Sequence, residues 1–108
     1  MDSLQVTEAA SAAVAVAPRV KLSDIEGAIG SVHYNTGDVA FPDSEVPVTH
    51  VLTLCLVVMK NGFCFIGKAA PASPDNFNRD LGRKFAYEDA IRQIWPMMGF
   101  ALRDRLAA

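Results

Sequence analysis

The sequence predicts an α+β domain: an N-terminal helix, a long loop, a two-stranded antiparallel β-hairpin, and two C-terminal helices broken at Trp95-Pro96. Three observations predict it. Residues 49–70 hold two apolar, strand-forming runs on either side of Asn61-Gly62, a pair that favours a tight hairpin turn. Residues 73–95 open on Ser73-Pro74, a pre-organised helix start, and carry a long run of helix formers. The whole chain has 108 residues, the length of one domain.

The elements follow in order. Residues 1–20 read as a flexible N-terminal tail ahead of a single domain over 21–108. Small residues dominate the tail, and although Ala favours a helix, no apolar stripe is bounded by caps. Residues 22–35 read as a first helix. Ser23 is its candidate N-cap, with Glu26 completing a capping box. Ile25, Ile29 and Val32 fall at i, i+4 and i+7, one face of such a helix, and Gly37 is available for a left-handed stop. Residues 37–48, with two prolines, read as a loop.

In the hairpin, a two-residue Asn61-Gly62 turn sets Lys60 opposite Phe63, Met59 opposite Cys64 and Val57 opposite Ile66. One face then carries Leu52, Leu54, Leu56, Val58, Phe63 and Phe65. The other carries Val51, Thr53, Cys55, Val57, Met59, Cys64 and Ile66. Both faces are apolar, so each needs a cover: the helices for one, and the first helix, the tail or a second subunit for the other. Cys55 and Cys64 share a face in this register but lie roughly 13 Å apart along it, too far for a disulfide. Both read as buried core thiols.

The main helix, 73–95, carries Phe77, Leu81, Phe85, Ile91, Ile94 and Trp95 on its apolar side. Arg79, Arg83, Lys84, Glu88, Asp89 and Arg92 lie opposite. Pro96 disfavours a helical Trp95, which predicts the break. A last helix over about 97–106 follows, with Met98, Ala101, Leu102 and Leu106 inward.

Composition narrows the function. The chain is 51% hydrophobic and 20% charged, apolar enough that some surface should meet another copy or a partner. Net charge is −2, with a balance of −5 over residues 1–59 and +3 over 60–108. The basic half can hold an anion but lacks the cationic stripe of a DNA-binding domain. No secretory signal and no membrane-length apolar run is expected. Two cysteines and two histidines at scattered positions make no metal motif, so neither metal nor cofactor is expected.

Candidate chemistry is thin. Neither His33 nor His50 is placed beside a cysteine by the sequence, and Glu88-Asp89 read as solvated helix surface paired with Lys84 or Arg92. There is no phosphate-binding glycine motif. Gly82 inside a helix costs about 1 kcal/mol and suggests a close approach. Beside it Arg79 and Arg83 lie four residues apart, and with Lys84 they are the candidate anion clamp. Val57, Met59, Ile66, Trp95 and Met97 are the candidate interface residues, Trp95 serving either as a core anchor or a contact platform.

The segments Lys60–Phe63, Pro74–Phe77 and Leu81–Lys84, with Ala86, Ala90 and Ile94–Leu106, together resemble a family of small proteins of tailed bacteriophages, over about residues 22–106. The resemblance implies a setting, a phage accessory protein in the host bacterial cytoplasm, and no substrate or catalytic residue. The leading expectation is a non-enzymatic protein that binds and inhibits a host factor of antiviral defence or host takeover. The alternatives are an oligomer that sequesters a small phosphate-bearing nucleotide ligand, or a weak nucleic-acid binder. A homo-oligomer of two copies or more is expected in any of these.

Overall fold

In the computed structural model, which describes residues 2–15 and 17–108, a three-stranded antiparallel sheet is covered on one face by helices. The elements run α1 (Ser3–Val14), α2 (Leu22–Ala28), β1 (Ile29–Thr36), α3 (Gly37–Ala40), α4 (Pro47–His50), β2 (Thr53–Met59), β3 (Cys64–Ala69) and α5 (Arg79–Ala107). The sheet is a meander in the order β1-β2-β3. The class is α+β as expected, with three strands rather than two.

The helix expected over 22–35 ends at Ala28, and its second half is β1. A β-bulge is the reason. Pairing runs Ile29↔Met59 and then Ser31↔Val58, leaving Gly30 as an extra residue. The bulge turns Ile29 and Val32 onto the same face although they are three residues apart, a spacing otherwise typical of a helix. Lys21, not Ser23, is the N-cap of α2, and the Asp24 carboxylate accepts from the Lys21 amide at 2.8 Å. Gly37 adopts no left-handed conformation. It opens α3 where a Cβ would lie 1.8 Å from the Thr49 carbonyl oxygen, so the expected loop is two one-turn helices, α3 and α4, in backbone contact.

The hairpin is present, but its register is one residue off the expected one. Val58 faces Cys64, Val57 faces Phe65 and Leu56 faces Ile66. The connection is a three-residue loop. The Gly62 amide donates to the Met59 carbonyl at 2.8 Å, and only Gly62, at φ 90°, takes a positive φ among the described residues. Asn61 therefore does not supply the second positive φ of a two-residue turn. Because side chains alternate, one residue of slip exchanges the faces of β3 entirely. Phe65, Gly67 and Ala69 join Thr53, Cys55, Val57 and Met59 on the inner face. Cys64 and Ile66 move to the outer face with Leu54, Leu56 and Val58. Cys55 is buried and Cys64 exposed, on opposite faces, correcting the picture of two core thiols.

The stretch expected as a tail contains α1; its positions 1 and 16 lie outside the described residues. Asp2 and Gln5 form a capping box at its start. Leu4 enters the core with Ile25, Ile91 and Ile94. The Ser3 hydroxyl donates to Glu88 and accepts from Arg92 at 2.6 Å, which pins α1 on α5. Glu88 is consequently buried, not the solvated residue expected, although its pair with Arg92 (3.7 Å) is there. Glu8 accepts from Arg19 at 2.6 Å and from the Leu22 amide at 2.9 Å, tying α1 to the start of α2. The Arg19 guanidinium and that amide hold the Glu8 carboxyl below its ordinary value.

α5 is one helix of 29 residues, capped by Asn78, and it passes through Pro96. Ser73-Pro74 instead starts a short 3-10 turn at Pro74–Asn76. Pro96 deprives the Arg92 carbonyl of its helical donor. Continuity is maintained by Ile91 and Ile94 buried just before the proline and by the Trp95 indole N–H, which donates to the Val20 carbonyl at 3.1 Å. The residues facing the sheet are small. A Cβ on Gly67 would lie 1.9 Å from the Ala86 carbonyl oxygen, and one on Gly82 would lie 2.6 Å from Thr53 Oγ1. Leu81 and Phe85, expected inward, therefore lie on the helix flank, exposed. The last turns of α5 run beyond the sheet, where Phe100 is 69% and Leu106 54% exposed, so the expected inward packing of Leu106 is absent.

Two measurements check this arrangement. An aromatic disulfide reagent should modify Cys64 at once and Cys55 only after denaturation; two thiols reacting together in the native protein would contradict the register. Gly67→Ala should cost at least about 3 kcal/mol, because the obstructing atoms are backbone. That corresponds to a melting-temperature drop of more than about 10 °C. Gly27→Ala, with nothing within 4 Å of the added carbon, should be neutral or stabilising.

Candidate functional site

Close contact at Gly82 and Ala86 fixes how α5 lies on the sheet, and so fixes what its two flanks present. In helical projection Arg79 and Arg83 share one side of this contact line, and Leu81 and Phe85 the other. On the arginine side no helix of the described residues covers the C-terminal end of β1. The resulting cleft, about 380 Å³, is lined by Tyr34, Asn35, Thr36, Thr53, Phe77, Arg79 and Arg83. On the other side a smaller, largely apolar cleft of about 160 Å³ is lined by Leu81, Phe85, Val51 and the Ala69–Pro71 segment. Thr53 and Phe77 border both.

The electrostatics of the larger cleft are one-sided. Among the described residues the ion pairs are Arg19–Glu8 and Arg92–Glu88; neither Arg79 nor Arg83 has a carboxylate partner. Asp75 and Asp80, close in sequence, make no ion pair with them. The nearest acid in sequence to the β1 wall is Asp38, and it is committed elsewhere. It accepts from the Thr36 hydroxyl and from the Val39 amide at 3.0 Å, and the Thr36 hydroxyl holds its carboxyl below the ordinary value. The Arg83 guanidinium lies 5.1 Å from the centre of the Tyr34 ring, a cation–π contact that orients it without neutralising it. Burial raises the Tyr34 hydroxyl above its ordinary value, and the neighbouring Cys55 thiol adds to the shift. Burial likewise raises the Cys55 thiol. Both shifts favour the protonated form.

The structure thus brings Arg79 and Arg83 together. Lys84, grouped with them by sequence, is exposed and does not line the cleft. Sequence reasoning missed Tyr34, Asn35 and Thr36, because it placed them at the end of a helix, and Thr53 and Phe77, which looked like core. The expected interface residues do not share a surface. Val57 and Met59 are buried by the chain's own helices, Trp95 is half-buried against Val20, Met97 is on the projecting turns of α5, and Ile66, 59% exposed, is on the outer sheet face. His33 accompanies Ile66 there, bonded to Ser31 at 2.9 Å, while His50 bonds the Ser44 carbonyl at 2.9 Å. Cys55 is on the opposite face, and Cys64 is two strands from His33, roughly 10 Å.

No group of three or more His, Cys, Asp or Glu able to hold a metal ion occurs among the described residues, and none of their helices is long and apolar enough to cross a membrane. The family model described as phage protein (N4 Gp49/phage Sf6 gene 66) matches residues 20–106. No curated protein and no solved structure matches the chain.

Proposed function

We propose, starting from the fact that this chain belongs to the N4 Gp49/phage Sf6 gene 66 family of phage proteins, that it is a non-enzymatic accessory protein that binds a small phosphate-bearing anion in the cytoplasm of the host. One observation carries this reading: Arg79 and Arg83 line one cleft, and neither has a carboxylate partner. Two guanidiniums in one cleft repel each other, and an anion between them relieves the repulsion while accepting bidentate hydrogen bonds. Phe77 and Tyr34 add apolar faces, and Asn35 and Thr36 add polar groups, so the cleft suits a phosphate joined to a planar group such as a nucleobase. The test is calorimetric titration with inorganic phosphate and adenosine monophosphate. Charge-assisted hydrogen bonds contribute about 1.5–3 kcal/mol each, so Arg79→Gln and Arg83→Gln should each weaken binding roughly ten- to a hundredfold. Affinity should fall with added salt. Wild-type protein that binds neither probe, or a double variant that binds as well as wild type, would overturn the proposal.

A second reading has its own support: the outer sheet face. Leu54, Leu56 and Val58 are half-covered there, Ile66 is 59% exposed, and no helix of the described residues packs over them. Such a face suits a host protein that the phage inhibits. A photo-crosslinking residue at position 66, introduced during infection, should then trap one host protein that the same residue at position 84 does not. Equal trapping at both positions, or none, removes this reading.

A further inference from the structure

The two edges of the sheet are treated differently. On the β3 edge, the Asp89 carboxylate accepts from the Lys68 amide at 2.9 Å, and the Gln93 side chain donates to the Ile66 carbonyl at 2.8 Å. Both side chains come from α5, and they occupy two of the outward-facing groups of that strand, the Lys68 N–H and the Ile66 C=O, and lie along its edge. Among the described residues, none covers the β1 edge in this way. The Gly37 amide donates to the Leu52 carbonyl at 2.8 Å, which sets the phase of the β1–β2 ladder. By alternation, Asn35, His33 and Ser31 turn their backbone groups toward β2, and Val32, Tyr34 and Thr36 turn theirs outward. The Thr36 amide is taken by Asn35 Oδ1 at 2.8 Å. The N–H and C=O of Val32 and Tyr34 have no protein partner among the described residues. The six residues Ser31–Thr36 contain no Lys, Pro or bulge, the usual guards of an exposed edge.

We infer that the β1 edge is a pairing surface for β1 of a second copy, antiparallel about a two-fold axis at His33. Val32 of each copy then exchanges two hydrogen bonds with Tyr34 of the other, which uses the four free groups on each strand and leaves the engaged Thr36 amide alone. A second copy suits this edge for a reason of symmetry. One two-fold uses both β1 edges, and the edges that remain are the β3 edges, where the Asp89 and Gln93 side chains hold the Lys68 N–H and the Ile66 C=O and stand in the way of a further strand, so assembly stops at a six-stranded dimer rather than a filament. The contact also adjoins the arginine cleft, because Tyr34, Asn35 and Thr36 belong to both. An edge contact of this length is at the small end of stable interfaces, so a micromolar dimer is expected.

Sedimentation over a concentration series into the high micromolar range, with residue-resolved amide exchange, tests this. The expected result is a mass twice 11.6 kDa, with the Val32 and Tyr34 amides protected only at concentrations where the dimer forms. His33→Lys, at an exposed side chain on the axis, places like charges opposite each other. It should return the protein to a monomer that keeps its fold, read from an unchanged melting temperature at low concentration. A monomer at every concentration overturns the inference. So does a dimer whose Val32 and Tyr34 amides exchange freely, or one that His33→Lys leaves intact. Protection that appears only when an extended peptide is added would assign the edge to a foreign strand instead.

Discussion

The architecture depends on how closely α5 can lie on the sheet. Gly67 has no room for a side chain against the Ala86 carbonyl, and Gly82 has none against Thr53. Helix and sheet therefore meet closely, with only the small side chains of Thr53, Ala86 and Ala90 between them at these contacts among the described residues. At Gly67 the obstructing atoms are the main chain of Ala86 and Ala90, which cannot move aside, and at Gly82 they are the Thr53 side chain. Everything larger is displaced: Ile91 and Ile94 fill the deeper space toward α1 and α2, and Leu81 and Phe85 go to one flank while Arg79 and Arg83 go to the other.

The same placement guards one edge of the sheet and leaves the other bare. Because α5 lies over β2 and β3, Asp89 and Gln93 reach past β3 to two of its outward backbone groups, the Lys68 N–H and the Ile66 C=O. Among the described residues no equivalent side chain reaches β1, since the first turns of the helix there carry Arg79 and Arg83 beside the strand end. The open cleft and the open edge are thus two consequences of one off-centre helix. They also share β1 residues, Tyr34, Asn35 and Thr36.

Much of this was legible in the sequence, and the failures have identifiable physical causes. The hairpin and the long C-terminal helix were visible because apolar pattern, Asn61-Gly62 and helix formers agreed. The β3 register was not, since a two-residue and a three-residue loop both accommodate Asn-Gly and differ only in whether Asn61 takes a positive φ. β1 was concealed by its bulge, which gives Ile29 and Val32 a helical spacing. The local signal for α1 was present in Asp2 and Gln5, but an Ala-rich helix declares itself only through its docking, and Ser3–Glu88 and Leu4 depend on partners some 85 residues away. At Pro96 a local rule was outweighed by Ile91, Ile94 and Trp95, whose anchoring is tertiary. Arg79 and Arg83 could be paired from their spacing alone, whereas Tyr34 and Asn35 could not be added without knowing that β1 was a strand.

The apolar excess of the composition finds its place in this account. Part of it is core, but Leu54, Leu56, Val58 and Ile66 form a face that no helix of the described residues covers, because α1, α2 and α5 all stack on the inner side. That one-sided layering is a consequence of where α1 docks: Glu88 and Arg92 on α5 hold Ser3, and Glu8 holds Arg19 and the start of α2, so the N-terminal helix is committed to the inner layer. Pairing through β1 would not cover the outer face; it would join two such faces into one surface spanning six strands. Edge pairing and the outer face are therefore not competing explanations of the apolar surplus. The first accounts for unpaired backbone groups, the second for unburied side chains, and a partner protein would meet a surface that only the paired form presents in full.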